Sequence, residues 1–126
     1  MKIYCGTDII EVARIEKAIL NTPAFKEKIF TLAEISYAET KSDVTKYQHY
    51  AGRFAAKEAI YKSISAVFPH VALNEIEILN DKNNLNRPTV IIHNENFLTS
   101  EQNIQIDVSI SHIKEYALAH AIATFN

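Results

Sequence analysis

The last quarter of the chain alternates with a period of two. Ile104, Ile106, Val108 and Ile110 take turns with Gln105, Asp107, Ser109 and Ser111. After a polar turn at residues 112–115 the alternation resumes, with Leu118, His120 and Ile122 set against small alanines. Strict alternation sends successive side chains to opposite faces of a strand, so this pattern predicts a long antiparallel hairpin. Such a hairpin needs a second layer to cover its apolar face, and the earlier chain supplies one with a different period.

Residues 10–20 carry helical spacing, with Ile15, Ala18 and Ile19 toward a core. Thr22-Pro23 reads as a helix opening, Thr as cap and Pro at the first helical position. Thr31-Leu32-Ala33-Glu34 has the spacing of a capping box. The longest helix starts from a cap at Asp43 or Thr45 and runs to about residue 66, where Phe68-Pro69 ends it. A strand over residues 2–8 precedes these helices, with Ile3 and Cys5 on one side and Tyr4 on the other. After them come a strand at 75–79, with Ile76 and Ile78 inward, an Asn-rich loop at 80–86, a strand at 88–92 and a helix at 94–102. Asn takes left-handed backbone in such a loop without glycine. One strand first, helices early and strands late give an α+β fold, a helical layer on an antiparallel sheet. The 126 residues make a single domain, 1–126.

Composition narrows the partners. With 15 acids against 13 bases the net charge is −2, which is not the basic excess of a nucleic-acid binder. No apolar stretch is long enough to cross a membrane and no leader pattern stands at the start, so the expected compartment is the cytoplasm. The single cysteine, Cys5, forms no internal disulfide and is expected as a small core-facing group.

Two charged motifs stand out. Gly6-Thr7-Asp8 closes the first strand, and Arg53-Phe54-Ala55-Ala56-Lys57-Glu58-Ala59-Ile60-Tyr61-Lys62 lies inside the longest helix. At 100° per residue, Ala51, Ala55, Glu58 and Lys62 share one stripe, and Arg53 and Lys57 form a second, basic one. The alanines leave room for another element or a ligand to come close. Spacing alone leaves two readings open. Glu58 and Lys62 form either a surface pair worth about 0.2–0.5 kcal/mol or part of a ligand site. Asp8 is either a cap or turn residue, or a ligand for a hard cation. Magnesium takes one or two carboxylates with phosphate oxygens and waters around them, a count Asp8 and Glu58 satisfy if the strand end abuts the helix. With Lys62 beside them, that arrangement points to phosphoryl chemistry.

The motif from Gly6 through Arg14-Ile15 and the motif from Arg53 to Lys62 resemble the two signatures of the holo-[acyl-carrier-protein] synthases, small phosphopantetheinyl transferases. Val108-Ser109-Ile110-Ser111-His112, followed by Glu115-Tyr116-Ala117-Leu118-Ala119, is similar to that family's last hairpin. The resemblance covers essentially the whole chain in order. It implies the 4'-phosphopantetheinyl transferase fold and magnesium-dependent transfer of 4'-phosphopantetheine from coenzyme A to a serine of apo acyl carrier protein, releasing adenosine 3',5'-bisphosphate. It implies Asp8 and Glu58 as the magnesium carboxylates and, with Lys62 at the reacting phosphate, as the catalytic set. Arg53, Lys57, Lys62 and His112 become coenzyme A contacts, and Arg14, with Lys17, the basic edge that meets the acidic carrier. The family is a homotrimer with active sites at subunit junctions.

One loop departs from the pattern: the usual Asn-Gly-(basic)-Pro is here Leu85-Asn86-Arg87-Pro88. Asn86 takes the left-handed position of the glycine, and Asn86, Arg87 and Pro88 stay among the expected nucleotide contacts. The general base is Glu58 or a metal-bound water. Two other functions draw on the same groups: a non-catalytic coenzyme A or carrier-protein binding module, and a magnesium-dependent phosphoester hydrolase with water as acceptor. His49, His70, His93 and His120 have no metal-ligand spacing, and His120 is expected as a hydrogen-bonded core or interface group.

Overall fold

The computed structural model describes residues 1–126. Strand β1 (Lys2–Glu11) leads directly into helix α1 (Val12–Asn21), followed by α2 (Phe25–Ile29), α3 (Leu32–Ala38) and the long α4 (Asp43–Ile64). A 3₁₀ turn (Leu73–Glu75), β2 (Ile76–Asp81), β3 (Arg87–Ile92), the one-turn α5 (Glu95–Leu98), β4 (Ile104–His112) and β5 (Tyr116–Phe125) complete the chain. The predicted final hairpin forms: β5 is the central strand of a three-stranded antiparallel sheet ordered β1-β5-β4, and β2 and β3 make a separate two-stranded sheet.

Helix α4 lies across the larger sheet on small residues. Ala117, Ala119, Ala121 and Ala123 of β5 are fully buried, as are Ala51, Ala55, Ala56 and Ala59 of α4. Alanine against alanine lets the helix approach more closely than branched side chains allow, and larger groups seal the ends of the layer: Ile60, Ile64, Val108 and Phe125. A second cluster, built on Ile15, Phe30 and Tyr50, joins α1 and the turn before α3 to the other end of α4.

Several local expectations give way to tertiary packing. The outward face of β1 carries Ile3 and Cys5, both exposed, while Tyr4 turns inward and meets Phe125 edge-on at 5.7 Å. The alternation in the sequence is real; the side that meets the helix is the other one. On β5 the same reversal leaves Leu118, His120 and Ile122 outside and the alanines inside, so His120 is no core group; its Nδ1 lies 2.9 Å from Thr7 Oγ1 on the neighbouring strand. Thr22 ends α1 rather than opening α2, which starts after Ala24 in left-handed backbone (φ 69°). The helix predicted at 94–102 shrinks to one turn capped by Asn94. The capping box forms in full: Thr31 accepts from the Glu34 N–H, and Glu34 accepts from the Thr31 N–H at 2.8 Å. Asn86, at φ 57°, takes the left-handed position, with Leu85 before it at φ 56°.

Candidate active site

Strand β1 packs closely on α4, and glycine permits it. A Cβ on Gly6 would sit 1.8 Å from the Ala59 carbonyl oxygen and 3.0 Å from Lys62 Cβ, so no other residue fits without pushing the strand off the helix. Two residues further along the strand, Asp8 thereby arrives beside the charged face of α4. Lys62 Nζ lies 3.6 Å from Asp8 Oδ1 and donates to the Thr7 carbonyl at 2.8 Å. Glu58 stands one turn before Lys62. Its carboxyl is held above the ordinary carboxylate range, first by burial and then by the negative charge of Asp8, with Lys62 acting in the opposite sense. The two acids therefore feel one another across a small gap, with a lysine at its edge. No third Asp, Glu, His or Cys joins them. A pair of carboxylates without further protein ligands fits magnesium, which keeps water and phosphate oxygens in its remaining places, and does not fit a closed protein cage.

The expected nucleotide contacts gather elsewhere on the same helix. A cleft of about 350 Å³ opens along α4, lined by His49 and Arg53 of the helix, Asn86 of the β2–β3 loop, Pro88 at the start of β3, and His112 at the end of β4. Lys41, Thr45, Gln48 and Asn80 complete its polar wall, and no carboxylate lines it. Arg53 is buried to 6 % exposure and donates to Asn80 Oδ1. Burial lowers its pKa, with Glu34 pulling the other way. A smaller hollow of about 230 Å³ adjoins the cleft around His49, Arg53, Asn80 and Asn86, with Tyr37, Ile78 and Leu79 on its inner side. Arg87 turns away and reaches Asp107 Oδ2 at 3.6 Å on the surface.

Lys57 is the clear correction. Sequence spacing sets it beside Arg53 on a basic stripe and the family resemblance implies a coenzyme A contact, yet its side chain is fully buried. Its three donors are used: 2.8 Å to Glu34 Oε1, 3.1 Å to the Leu73 carbonyl, and a third bond to the Ile76 carbonyl. An ammonium has only three protons to give. Glu34 is equally occupied, its Oε2 accepting from the Ile78 N–H at 2.8 Å. Lys57 therefore ties α4 to α3 and the small sheet, and has nothing left for a ligand.

Arg14 and Lys17 project from the outer face of α1, exposed and outside every ion pair of the chain, whereas nearby Lys26 is held by Glu39 at 3.3 Å. Sequence reasoning missed His49. The signal was present: Thr45, His49 and Arg53 recur at i,i+4, which stacks them on one stripe of the helix. His49 is mostly buried, with its ring edge against Tyr37 (centroids 4.9 Å apart) and its Nε2 shielded and without a hydrogen-bond partner. Burial, followed by the positive charges of Arg53, Lys41 and His112, lowers its pKa to about 4, so the ring is neutral near pH 7.

The chain is similar to known proteins over nearly its whole length. The chain is 45 % identical to a holo-[acyl-carrier-protein] synthase of Ruminiclostridium cellulolyticum over 126 residues, covering 97 % of this chain and 92 % of that one. It is 42 % identical to the protein of the same name from Fusobacterium nucleatum, over 97 % of this chain and 98 % of the relative. Among solved structures, a holo-(acyl-carrier-protein) synthase from Bacillus anthracis in complex with CoA (3',5'-ADP) superposes with a TM-score of 0.76 at 34 % identity, over 95 % of this chain and 94 % of the other. The Chronobacterium ammoniagenes ACPS–CoA complex superposes with a TM-score of 0.84 at 25 % identity, over 100 % and 99 % of the two chains. Residues 4–121 match the model of the 4'-phosphopantetheinyl transferase superfamily, and the chain belongs to that superfamily.

Proposed function

We propose that the chain is a holo-[acyl-carrier-protein] synthase: it transfers 4'-phosphopantetheine from coenzyme A to a serine of apo acyl carrier protein and releases adenosine 3',5'-bisphosphate. The observation that carries this reading is the meeting of Asp8, Glu58 and Lys62 where Gly6 lets the strand touch the helix. A binding module for coenzyme A or carrier would need the cationic cleft, but not a pair of acids held at the cost of mutual repulsion. A hydrolase would use the acids without needing an exposed basic edge such as Arg14 and Lys17.

Asp8 and Glu58 would hold magnesium, which supplies positive charge at the diphosphate when bound. Lys62, half exposed at the edge of the site, adds a point charge where negative charge grows on the phosphoryl oxygens and the departing phosphate. The serine Oγ–P bond forms as the bond from that phosphorus to the bridging oxygen of the diphosphate breaks. Glu58, one turn before Lys62 and with its pKa raised by burial and by Asp8, is a side chain able to accept the proton released by the serine. Arg53, Asn86, Pro88 and His112 would line the place of the nucleotide. The cytoplasm is the compartment in which coenzyme A and carrier protein meet such an enzyme.

The two halves, acids and cleft, open from different faces of α4, which supports a site shared between copies in a homotrimer. Further support comes from the uncovered outer face of the larger sheet, where Ile3, Cys5 and Ile9 of β1 pair in register with Thr124, Ile122 and Leu118 of β5. Ile9 is 62 % exposed and Ile3 58 %, an apolar patch a second copy would cover.

The test incubates the protein with magnesium, coenzyme A and apo carrier protein and follows carrier mass. Gain of the phosphopantetheine arm on the carrier supports the reading; an unmodified carrier sinks it. Mixing inactive Glu58→Gln with inactive Arg53→Ala protein then examines sharing: recovered activity means acids and cleft come from different copies, and none means that one copy holds both.

A further inference from the structure

We propose that His49 is a specificity-determining contact of this enzyme, donating a ring N–H to the phosphate monoester at the nucleotide end of the donor, the 3'-phosphate of coenzyme A. The inference rests on the reading above and adds to it a residue that neither the motifs nor the helix pattern had singled out.

Three observations lead to it. His49 lines both the cleft and the adjoining hollow, on the same stripe of α4 as Thr45 and Arg53. Its Nε2 is shielded and has no partner within the chain, so no internal hydrogen bond draws the ring proton there, and the N–H of the neutral ring is left to Nδ1. The ring is also pinned edge-on against Tyr37, so it is presented in a fixed orientation rather than swinging freely.

The chemistry of the surroundings names the ligand group. Lys41 and Arg53 bring positive charge to the cleft, His112 adds a polar ring, and no carboxylate lines it, so what it takes is an anion. Coenzyme A carries two anionic groups. Its diphosphate belongs with Asp8, Glu58 and Lys62, none of which lines this cleft. The remaining anion is the 3'-phosphate. A neutral imidazole beside cations suits that role: it offers one N–H without adding to the repulsion between Lys41 and Arg53, and its depressed pKa keeps it so.

The test compares coenzyme A with 3'-dephospho-coenzyme A as donors for wild type, His49→Phe and His49→Gln, with a melting curve for each protein. Phe keeps the packing against Tyr37 and removes the hydrogen bond; Gln restores an N–H donor. A hydrogen bond to a charged group supports an expectation of about tenfold. His49→Phe should lose about tenfold in kcat/KM with coenzyme A and little with the dephospho donor, and His49→Gln should regain part of the preference. Equal losses on both donors, or no loss on either, overturn the proposal. Calorimetric binding of adenosine 3',5'-bisphosphate against adenosine 5'-monophosphate decides the same point without turnover: His49→Phe should weaken only the bisphosphate, and an unchanged ratio of the two affinities sinks the contact. Absence of transfer by wild type would strike the proposed function, while this binding ratio would still judge His49.

Discussion

Lys57 and Lys62 stand five residues apart on one helix, and the sequence presents them as members of one basic motif. The fold treats them in opposite ways. Lys57 is fully buried, with all three of its protons taken by Glu34 and two backbone carbonyls. Lys62 is 52 % exposed at its side chain, holds one carbonyl and lies at a loose 3.6 Å from Asp8. A lysine that has met every donor obligation inside the protein is part of the framework. One that keeps protons free beside two acids is available for chemistry. The difference arises from what packs on each side of α4: on one side a glycine strand end brings Asp8, and on the other the capping box of α3 brings Glu34.

The acid cluster offers the largest expected effect. Asp8→Asn or Glu58→Gln should lower carrier modification by on the order of 10³-fold, because each removes a charge from the point where negative charge develops. Neither should lower stability appreciably, since Glu58 is held against burial and a like charge. Kinetics by carrier mass and thermal melting together check this; an active variant, or an unfolded one, would erase the contrast with Lys57.

The two lysines themselves come next. Lys57→Met removes one partner of a buried ion pair and strands Glu34, which costs about 3–5 kcal/mol. Lys62→Met should change stability by less than about 0.5 kcal/mol while reducing turnover about 100-fold. Denaturant titration and steady-state rates measured on both variants should cross over in this way. A Lys57 variant of normal stability that lost only coenzyme A affinity would restore the ligand role that the family resemblance implied.

That exchange of roles marks how far the sequence could be read. For Asp8, Glu58 and Lys62 spacing went only part of the way: it set Glu58 and Lys62 on one stripe and left Asp8 as either a cap or a cation ligand, and their joint role came from the family resemblance. The terminal hairpin was legible from spacing alone, since a period of two needs no knowledge of the rest of the chain. Cys5 was placed on the wrong side because alternation fixes two faces but not which one meets a helix, and for the same reason the core and interface readings of His120 could not be told apart. Here the alanine face of β5 took α4, and the larger side chains were left outside. Glu34 was read correctly as a capping residue, but its second oxygen bonds Ile78, 44 residues away, and no spacing rule reaches that far.

A smaller effect separates the cleft from the acid cluster by pH. His49 is lowered from 6.5 to about 4 in the folded chain. Between those values the unfolded chain takes up a proton that the native ring refuses, so stability is full above about pH 6.5 and declines as pH falls toward 4. Solvent screening at this partly open site limits the contribution to about 1 kcal/mol, or roughly 4 °C in Tm. Lys41, Arg53 and His112 face the ring with positive charge, and Glu34 and Lys82 line the adjoining hollow. Melting curves from pH 7 to pH 4 should therefore slope less for His49→Phe than for wild type. Equal slopes would mean that the ring takes its proton in the native state.

The smallest effect belongs to the edge farthest from both lysines. Arg14 and Lys17 are exposed and bonded to no carboxylate of their own chain, so their charges remain free for an acidic partner. Rim charges of this kind act mainly on encounter rates and are screened by salt. Arg14→Ala should raise the KM for carrier protein about threefold to tenfold at low ionic strength and leave the KM for coenzyme A unchanged. Adding about 0.3 M salt, which shortens the screening length to a few ångströms, should bring wild type and variant together. A variant that weakened both substrates equally, or a difference that salt left intact, would place Arg14 within the framework, as Lys57 is, rather than at a docking edge.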